Sequence, residues 1–317
     1  MNAARFVGKK LVDAVVILVL VTAGTAGLTS LIPGSPAVLI LGEFATPEAI
    51  AQLNAEYGFD DPFWVRYWDW LKDAVRGDLG DSIQTQQAVT QTLADRLPVT
   101  LEIAILTLVL SLLIAVPLAL VCAARADGRL DRIVTSISSG LQSVPTFVGC
   151  VVLAELLSYQ LKIFPTFGWV PISEDFFGSL HHAGLAVIVL VLSTTPLFLR
   201  VLRADLVTVL REDYVLAARA RGMSDTYIML RHALRPASLS LFTLTGLVFG
   251  YLVGGTIILE NFFALPGIGQ AVGTAVQGKD LPVVQGAVVV MALTYLVLNT
   301  LVDLGLMVID PRSRGAR

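Results

Sequence analysis

Few residues in this 317-residue chain could do chemistry. Asp13, Glu155 and Asp303 are acids inside long apolar runs. Burying such a charge in a bilayer costs at least about 2.5–3.5 kcal/mol, so an acid kept there is a candidate for carrying a proton or an ion. Asp13 stands within a turn of Lys10, and Asp303 one to two turns from the end of its run. Both can pair or snorkel, which leaves Glu155 as the isolated acid. His181 and His182 are adjacent, there is no HExxH, and the pair reads as polar residues near an interface. Cys122 and Cys150 sit in apolar stretches without CxxC or histidine-rich spacing, so neither a disulfide framework nor a metal site is expected. No GxxxxGK[ST] loop exists to cradle ATP phosphates, so any ATP-driven step needs another chain to hydrolyse the nucleotide. A membrane-bound enzyme would need an assembled nucleophile, base or metal set at workable spacing, and none is present.

A second class of candidates consists of small residues that let other groups approach. Gly246, Gly250 and Gly254 recur at i, i+4 and i+8, a stripe that permits close backbone approach and serves as either a packing face or the wall of a pathway. Glu260 to Gly269 runs ENFFALPGIG, too apolar for a hydrated loop and too broken for a span. It is expected to dip back as an outer cap, with Phe262, Phe263, Pro266, Gly267 and Gly269 as gate residues. Pro117, Pro145 and Pro196 fall inside apolar runs, where a missing N–H and a ring clash favour kinks.

The elements that must position these residues follow from composition. Hydrophobic residues make up 55% of the chain and charged residues 15%, with mean hydropathy +0.76, against about 25% charged in soluble domains. A soluble enzyme is therefore excluded, and a net charge of −3 without basic runs excludes nucleic-acid binding. The first apolar run, 11–31, is longer than a signal-peptide core and reads as a retained span. Five more follow at 100–123, 133–157, 183–203, 238–259 and 283–307, so six helices are expected, each of about 20 residues or more. The tails 1–10 and 308–317, the loop after 123 and the region from Arg200 to Arg235 together hold 16 basic residues, against six on the opposite side. By the positive-inside rule both termini are cytoplasmic.

The long outer segment, 32–99, holds ten acids against four bases. Thr46-Pro47 and Asp61-Pro62 each offer an N-cap followed by proline, so two short helices are expected there. In the second, Trp64, Trp68, Leu71 and Val75 recur at i, i+4, i+7 and i+11, a face that could lie on the membrane interface or pack on the bundle. Arg76-Gly77-Asp78 reads as a helix end with a capping glycine.

The cytoplasmic stretch 209–236 carries REDYVLAARARGMS from Arg211, then LRHALRP from Leu230. It resembles the EAA loop of bacterial ABC importer permeases, with Ala217, Ala218 and Gly222 on the motif's A-A-x-x-x-G positions. Leu216 stands where the general motif has glutamate, and Leu234-Arg235-Pro236 replaces its closing Leu-Pro. These departures are similar to the dipeptide, oligopeptide and nickel branch. So are Tyr57-Gly58-Phe59-Asp60, Arg76 to Gly80, Arg96 to Glu102 and Asp310-Pro311-Arg312. The short N-terminal tail and long first outer segment resemble the B-type subunit of that branch.

The resemblance implies an all-α, six-span permease of the type I importer fold with a helical extracytoplasmic insertion, in a bacterial inner membrane. It implies uptake of di- or oligopeptides, with half of the pathway formed by this chain. Implied partners are a second, C-type permease, two ATP-binding subunits or domains, an extracytoplasmic binding protein and membrane lipid. No cofactor is expected in this chain, since ATP and Mg²⁺ would be held by the ATP-binding subunits. Asp213, Tyr214, Ala217, Ala218, Arg219, Ala220, Arg221 and Gly222 would form the coupling surface. The physics agrees, because small alanines allow close docking and Gly222 can take the positive φ of a turn. The rival reading is an ion-coupled transporter working alone through Glu155 or Asp303, but no internal repeat supports it.

Overall fold

A computed structural model describes residues 3–30 and 36–309, so the Asp310-Pro311-Arg312 motif and the C-terminal tail lie outside the described residues. The side chains of Arg5, Lys9 and Lys10 do too, and with them the expected Asp13–Lys10 pair. Every regular element described is helical. In order these are α1 (Ala3–Ser30), α2 (Pro36–Leu41), α3 (Pro47–Tyr57), α4 (Phe63–Val75), α5 (Val89–Ala124), α6 (Arg129–Gln142) and α7 (Thr146–Leu153). There follow α8 (Phe176–Val209), α9 (Asp213–Ala220), α10 (Asp225–Tyr227), α11 (Leu234–Phe262), α12 (Ile268–Gln277) and α13 (Leu281–Ile309).

Four helical stretches are long and apolar enough to cross a bilayer: 89–124, 176–209, 225–262 and 281–305. The described side chains of α1 add an apolar stretch from Val12 to Gly27. The third apolar run differs from the single span expected over 133–157: α6 and α7 meet at 97°. Pro145 occupies the N-cap position of α7, where a residue without an N–H gives up no helical bond. Beyond Leu153 the backbone widens into a π-helical stretch, Ala154–Gln160. Pro117 and Pro196, by contrast, are carried within α5 and α8 without a break. A proline inside an apolar run thus ends a helix only where the chain turns.

The chain divides into two compact units. One contains residues 101–265 and 297 onward, and α8 is its most enclosed helix, with Phe198, Leu199, Leu202 and Leu206 at 1% exposure or less. Ser111 and Thr194 share a buried hydrogen bond of 2.6 Å between α5 and α8. Asp131 of α6 is buried and receives two hydrogen bonds of 2.5 Å from the Arg203 guanidinium of α8, with a third from the Asp127 N–H at 2.9 Å. A forked pair with its lone pairs filled suits a site from which water is excluded.

The other unit contains residues up to 100 and 266–296. Its core is Leu79, Val89, Leu93, Ile268, Ala275, Val283 and Ala287. Thr46 caps α3 by accepting from the Ala49 N–H at 3.2 Å, and Gly58 closes that helix at φ +61°. Asp61 does not cap α4 as its sequence suggests; Pro62 takes that position. Gly77 has φ +91°, as a helix-ending turn requires. The buried Asp280 carboxylate accepts from Ser82 Oγ at 2.5 Å and from the N–H groups of Ile83 and Gln84 at 3.2 and 3.4 Å. Gln84 returns a bond to the Gly278 carbonyl at 2.9 Å.

Candidate functional site

The segment 209–236 is built around a three-residue core. Val215 and Ala218 of α9 bury against Ile228, with Leu210 and Met223 packed alongside. Asp213 in the first turn and Arg219 in the last each complement the helix dipole. Gly222 then turns the chain at φ +80°, its N–H bonded to the Arg219 carbonyl at 2.9 Å. No neighbouring heavy atom lies within 4 Å of where a Cβ would stand, so the glycine is required by backbone conformation alone. Ser224 caps the returning helix by accepting from the Tyr227 N–H at 3.4 Å, and Arg219 pairs with Asp225 at 3.4 Å across the turn. The returning stretch is continuous with α11 through a π-helical segment, Ile228–Ala233, so it is the root of a long helix.

This geometry divides the expected coupling residues. Asp213, Tyr214, Ala217, Arg219, Ala220, Arg221 and Gly222 are exposed. Ala218 is not: at 6% exposure it belongs to the inner face, three residues after Val215, so its smallness serves the loop's own packing. Leu216, the apolar departure from the general motif, is 51% exposed on the outer face. The Tyr214 hydroxyl donates to the His232 carbonyl at 3.3 Å; partial burial and the Glu212 charge push its pKa up, so it stays a neutral donor.

The glycine stripe of α11 also divides. Gly246 is buried, and a Cβ there would stand 3.3 Å from Asn299 Oδ1 and 3.4 Å from Val302 Cγ1 of α13, so this glycine permits helix packing. Gly250 and Gly254 are half-buried. Beside them runs an exposed face that sequence reasoning missed: Ser240, Thr243, Leu247, Tyr251, Ile258 and Asn261. The Tyr251 ring lies over Gly255, its Cζ 3.5 Å from a notional Cβ. Within the apolar run 100–123 of α5, in contrast, every exposed position is apolar: Ile105, Val109, Leu110, Leu113, Ile114, Pro117 and Val121. Hydroxyls and an amide recurring at helical spacing through an apolar run were the available signal.

The expected outer gate is split between the two units after Leu265. Phe262 is 38% exposed and Phe263 buried, their rings edge to face at 4.9 Å. The Leu265 N–H closes the end of α11 on the Glu260 carbonyl at 2.9 Å. Pro266 and Gly267 lead into α12, whose first N–H, from Ile268, donates to the buried Thr100 Oγ1 at 2.9 Å. Gly267 and Gly269 are buried. Arg96 donates to Gln270 Oε1 at 3.0 Å.

The acids and histidines that could have done chemistry are not brought together. Among the described residues no three His, Cys, Asp or Glu side chains form a group that could hold a metal. Glu155 is exposed and accepts from Gln160 at 3.2 Å. His181 Nε2 is bonded to the Ile163 carbonyl at 2.7 Å.

Two family models match the chain. The binding-protein-dependent transport system inner membrane component matches residues 115–315, and the corresponding N-terminal model matches residues 3–104. A putative peptide transport system permease protein of Brucella abortus is 34% identical over 306 residues, 96% of this chain and 98% of the relative. A probable peptide ABC transporter permease protein of Sinorhizobium fredii is 32% identical, covering 98% of this chain and 99% of its own length. A nickel import system permease protein of Staphylococcus aureus is 32% identical over 96% of this chain and 90% of its own.

Proposed function

The chain belongs to the binding-protein-dependent transport system inner membrane components, and from that premise we propose that it couples ATP hydrolysis to the uptake of peptides through the outer face of α9. It is a multi-pass membrane protein and the permease subunit of an ABC importer. The comparisons give no support to an ion-coupled transporter acting alone.

In this reading α9, the turn at Gly222 and the root of α11 enter a cleft on an ATP-binding subunit, and both termini are cytoplasmic. The observation that carries it is the outer face of α9: Leu216, Ala217 and Ala220 are exposed on a helix held rigidly by Val215 and Ala218 behind them. Small residues outside and a packed core inside let a partner press close without collapsing the helix. Because the returning stretch continues into α11, a movement of the loop moves that helix. Closure of two ATP-binding subunits would swing the spans outward-facing, and a binding protein would release its cargo between this chain and a second, C-type permease. Binding of ATP and Mg²⁺ belongs to those subunits. The loop contact must differ between the two states for the coupling to work.

The exposed face of α11 around Gly250, Tyr251 and Gly254 is the proposed pathway wall, and residues 262–269 the outer gate. Hydroxyl and amide groups there suit a solute with peptide bonds, while the aliphatic surface of α5 suits lipid. Gly222→Glu is expected to uncouple hydrolysis from uptake while the protein still inserts and assembles. Normal uptake by that variant in membranes holding the whole importer would contradict the docking role. Gly250→Leu is expected to block transport, and unchanged transport would assign that face to lipid.

A further inference from the structure

Helix α6 is held to its neighbour by charge rather than by apolar packing. Of its 14 residues Asp131 alone is fully buried, whereas α8 buries Phe198, Leu199, Leu202 and Leu206. Asp131 takes both 2.5 Å bonds of the Arg203 guanidinium, and at the other end of α6 Gln142 Oε1 accepts from Arg200. Between these two residues the half-buried Val134, Thr135 and Ser138 continue one stripe, at i+3, i+4 and i+7 from Asp131, so this is the side of α6 that lies along α8. Asp131 and Gln142 are about 16 Å apart along α6, and the two arginines about 4.5 Å apart along α8, so the arginine side chains splay in opposite directions and brace the helix over its length. The Asp127 N–H fastens the α5–α6 turn onto the same Asp131 carboxylate at 2.9 Å, with Asp127 at φ +64°, so the pair also fixes where α6 begins.

At its far end α8 runs into the loop around α9. Val209 is followed by Leu210, which packs on the Val215–Ala218–Ile228 core, and the Arg211 and Glu212 N–H groups continue the turn onto the Thr208 and Val209 carbonyls at 3.1 Å each. The loop therefore has two exits, forward into α11 and back into α8. We infer that Asp131 and Arg203 are positioning residues of the transport cycle: through them α6 moves with α8 as one body, so that a displacement of α9 reaches α6. The inference rests on the docking of α9 to an ATP-binding subunit. What the ion pair supplies is register. Apolar side chains can slide past one another at little cost, whereas a forked carboxylate–guanidinium pair holds in one geometry and leaves two charges unpaired if the helices slip. With a single buried residue, and that one an acid, α6 has too little buried apolar surface to follow α8 without the pair.

The test uses the complete importer in proteoliposomes, supplied with its binding protein and a radiolabelled dipeptide that the parent imports. Asp131→Asn/Arg203→Gln replaces the pair by two neutral amides, so that neither charge is left stranded. A melting temperature close to the parent's, with uptake per ATP hydrolysed lowered about 5-fold or more, is the expected result. An unchanged ratio of uptake to hydrolysis would overturn the inference. A second measurement is made on the parent pair itself, with spin labels on Ile137→Cys of α6 and Ala204→Cys of α8, both exposed, while Cys122 and Cys150 are buried. The distance between the labels is expected to be the same with and without trapped ATP, and to broaden when the double substitution is added. A distance that changes between the two nucleotide states of the parent would overturn the inference whatever the double variant does. Docking is read separately from a photocrosslinking amino acid at Ala217. No adduct to the ATP-binding subunit would refute the docking on which the inference rests, and an adduct together with unchanged uptake per ATP in the double variant would refute the positioning role alone.

Discussion

The loop around α9 and the unit containing α12 are both short helices between long ones, yet they are built in opposite ways. Around α9 only Val215, Ala218 and Ile228 are buried, and most of the helix is exposed. Around α12 the core holds seven buried residues, and Asp280 ties Ser82, Ile83 and Gln84 to the start of α13. A helix with a minimal core and an open face is made to be completed by a partner, and one with a full core and internal polar ties is completed by its own chain. Perturbation should therefore show as lost coupling at α9 and as lost stability at α12.

Ala218→Glu is the largest expected effect, because it forces a carboxylate into the only packing α9 has. Burial without a partner costs several kcal/mol, roughly the whole of so small a core. Uptake should vanish while the unit containing α12 keeps its resistance to protease; equal loss of protease resistance in both regions would break the comparison. Asp280→Ala comes next, removing the acceptor of one buried and two partly buried donors at a cost of about 1–3 kcal/mol. A lowered melting temperature, with an unchanged ratio of hydrolysis to uptake in the surviving protein, is the expected outcome. Gly286→Ala places a Cβ 2.6 Å from Val89 Cγ1 in that same core and should cost about 1–3 kcal/mol, read in the same thermal assay. Leu216→Ala is the smallest: a side chain already 51% exposed contributes little to the fold, so stability should hold while affinity for the ATP-binding subunit falls by about 1 kcal/mol.

Much of this contrast is written in residue pattern, and some of it is not. The apolar runs announce their helices because twenty apolar residues have one low-cost conformation in a bilayer. The inward direction of Ala218 was also legible, since Val215 and Ala218 are three apart and only one face of so short a helix can pack. Its resemblance to a motif alanine drew attention to size instead of direction. In α12 the positions Ile268, Ala271, Val272 and Ala275 follow helical spacing, but Gly267, Gly269 and Gly273 dilute the pattern. Pro145 could not be told from Pro117 or Pro196 by type, because whether a proline breaks or is absorbed depends on what packs around it. Asp280 and Ser82 lie 198 residues apart, and nothing local to either announces the other. Tyr251 was concealed by the glycines beside it, although the polar positions from Ser240 to Asn261 keep one helical face.

The central claim is that the outer face of α9 is where hydrolysis enters this chain. The most direct measurement puts a photocrosslinking amino acid at Ala217, exposed on that face, in membranes holding the complete importer, with Leu113 of the aliphatic α5 surface as control. An adduct to the ATP-binding subunit at Ala217, changing in yield when ATP is trapped, and no such adduct at Leu113, is the predicted result. No adduct to that subunit from Ala217 in either nucleotide state, in a complex that still takes up cargo, would contradict it.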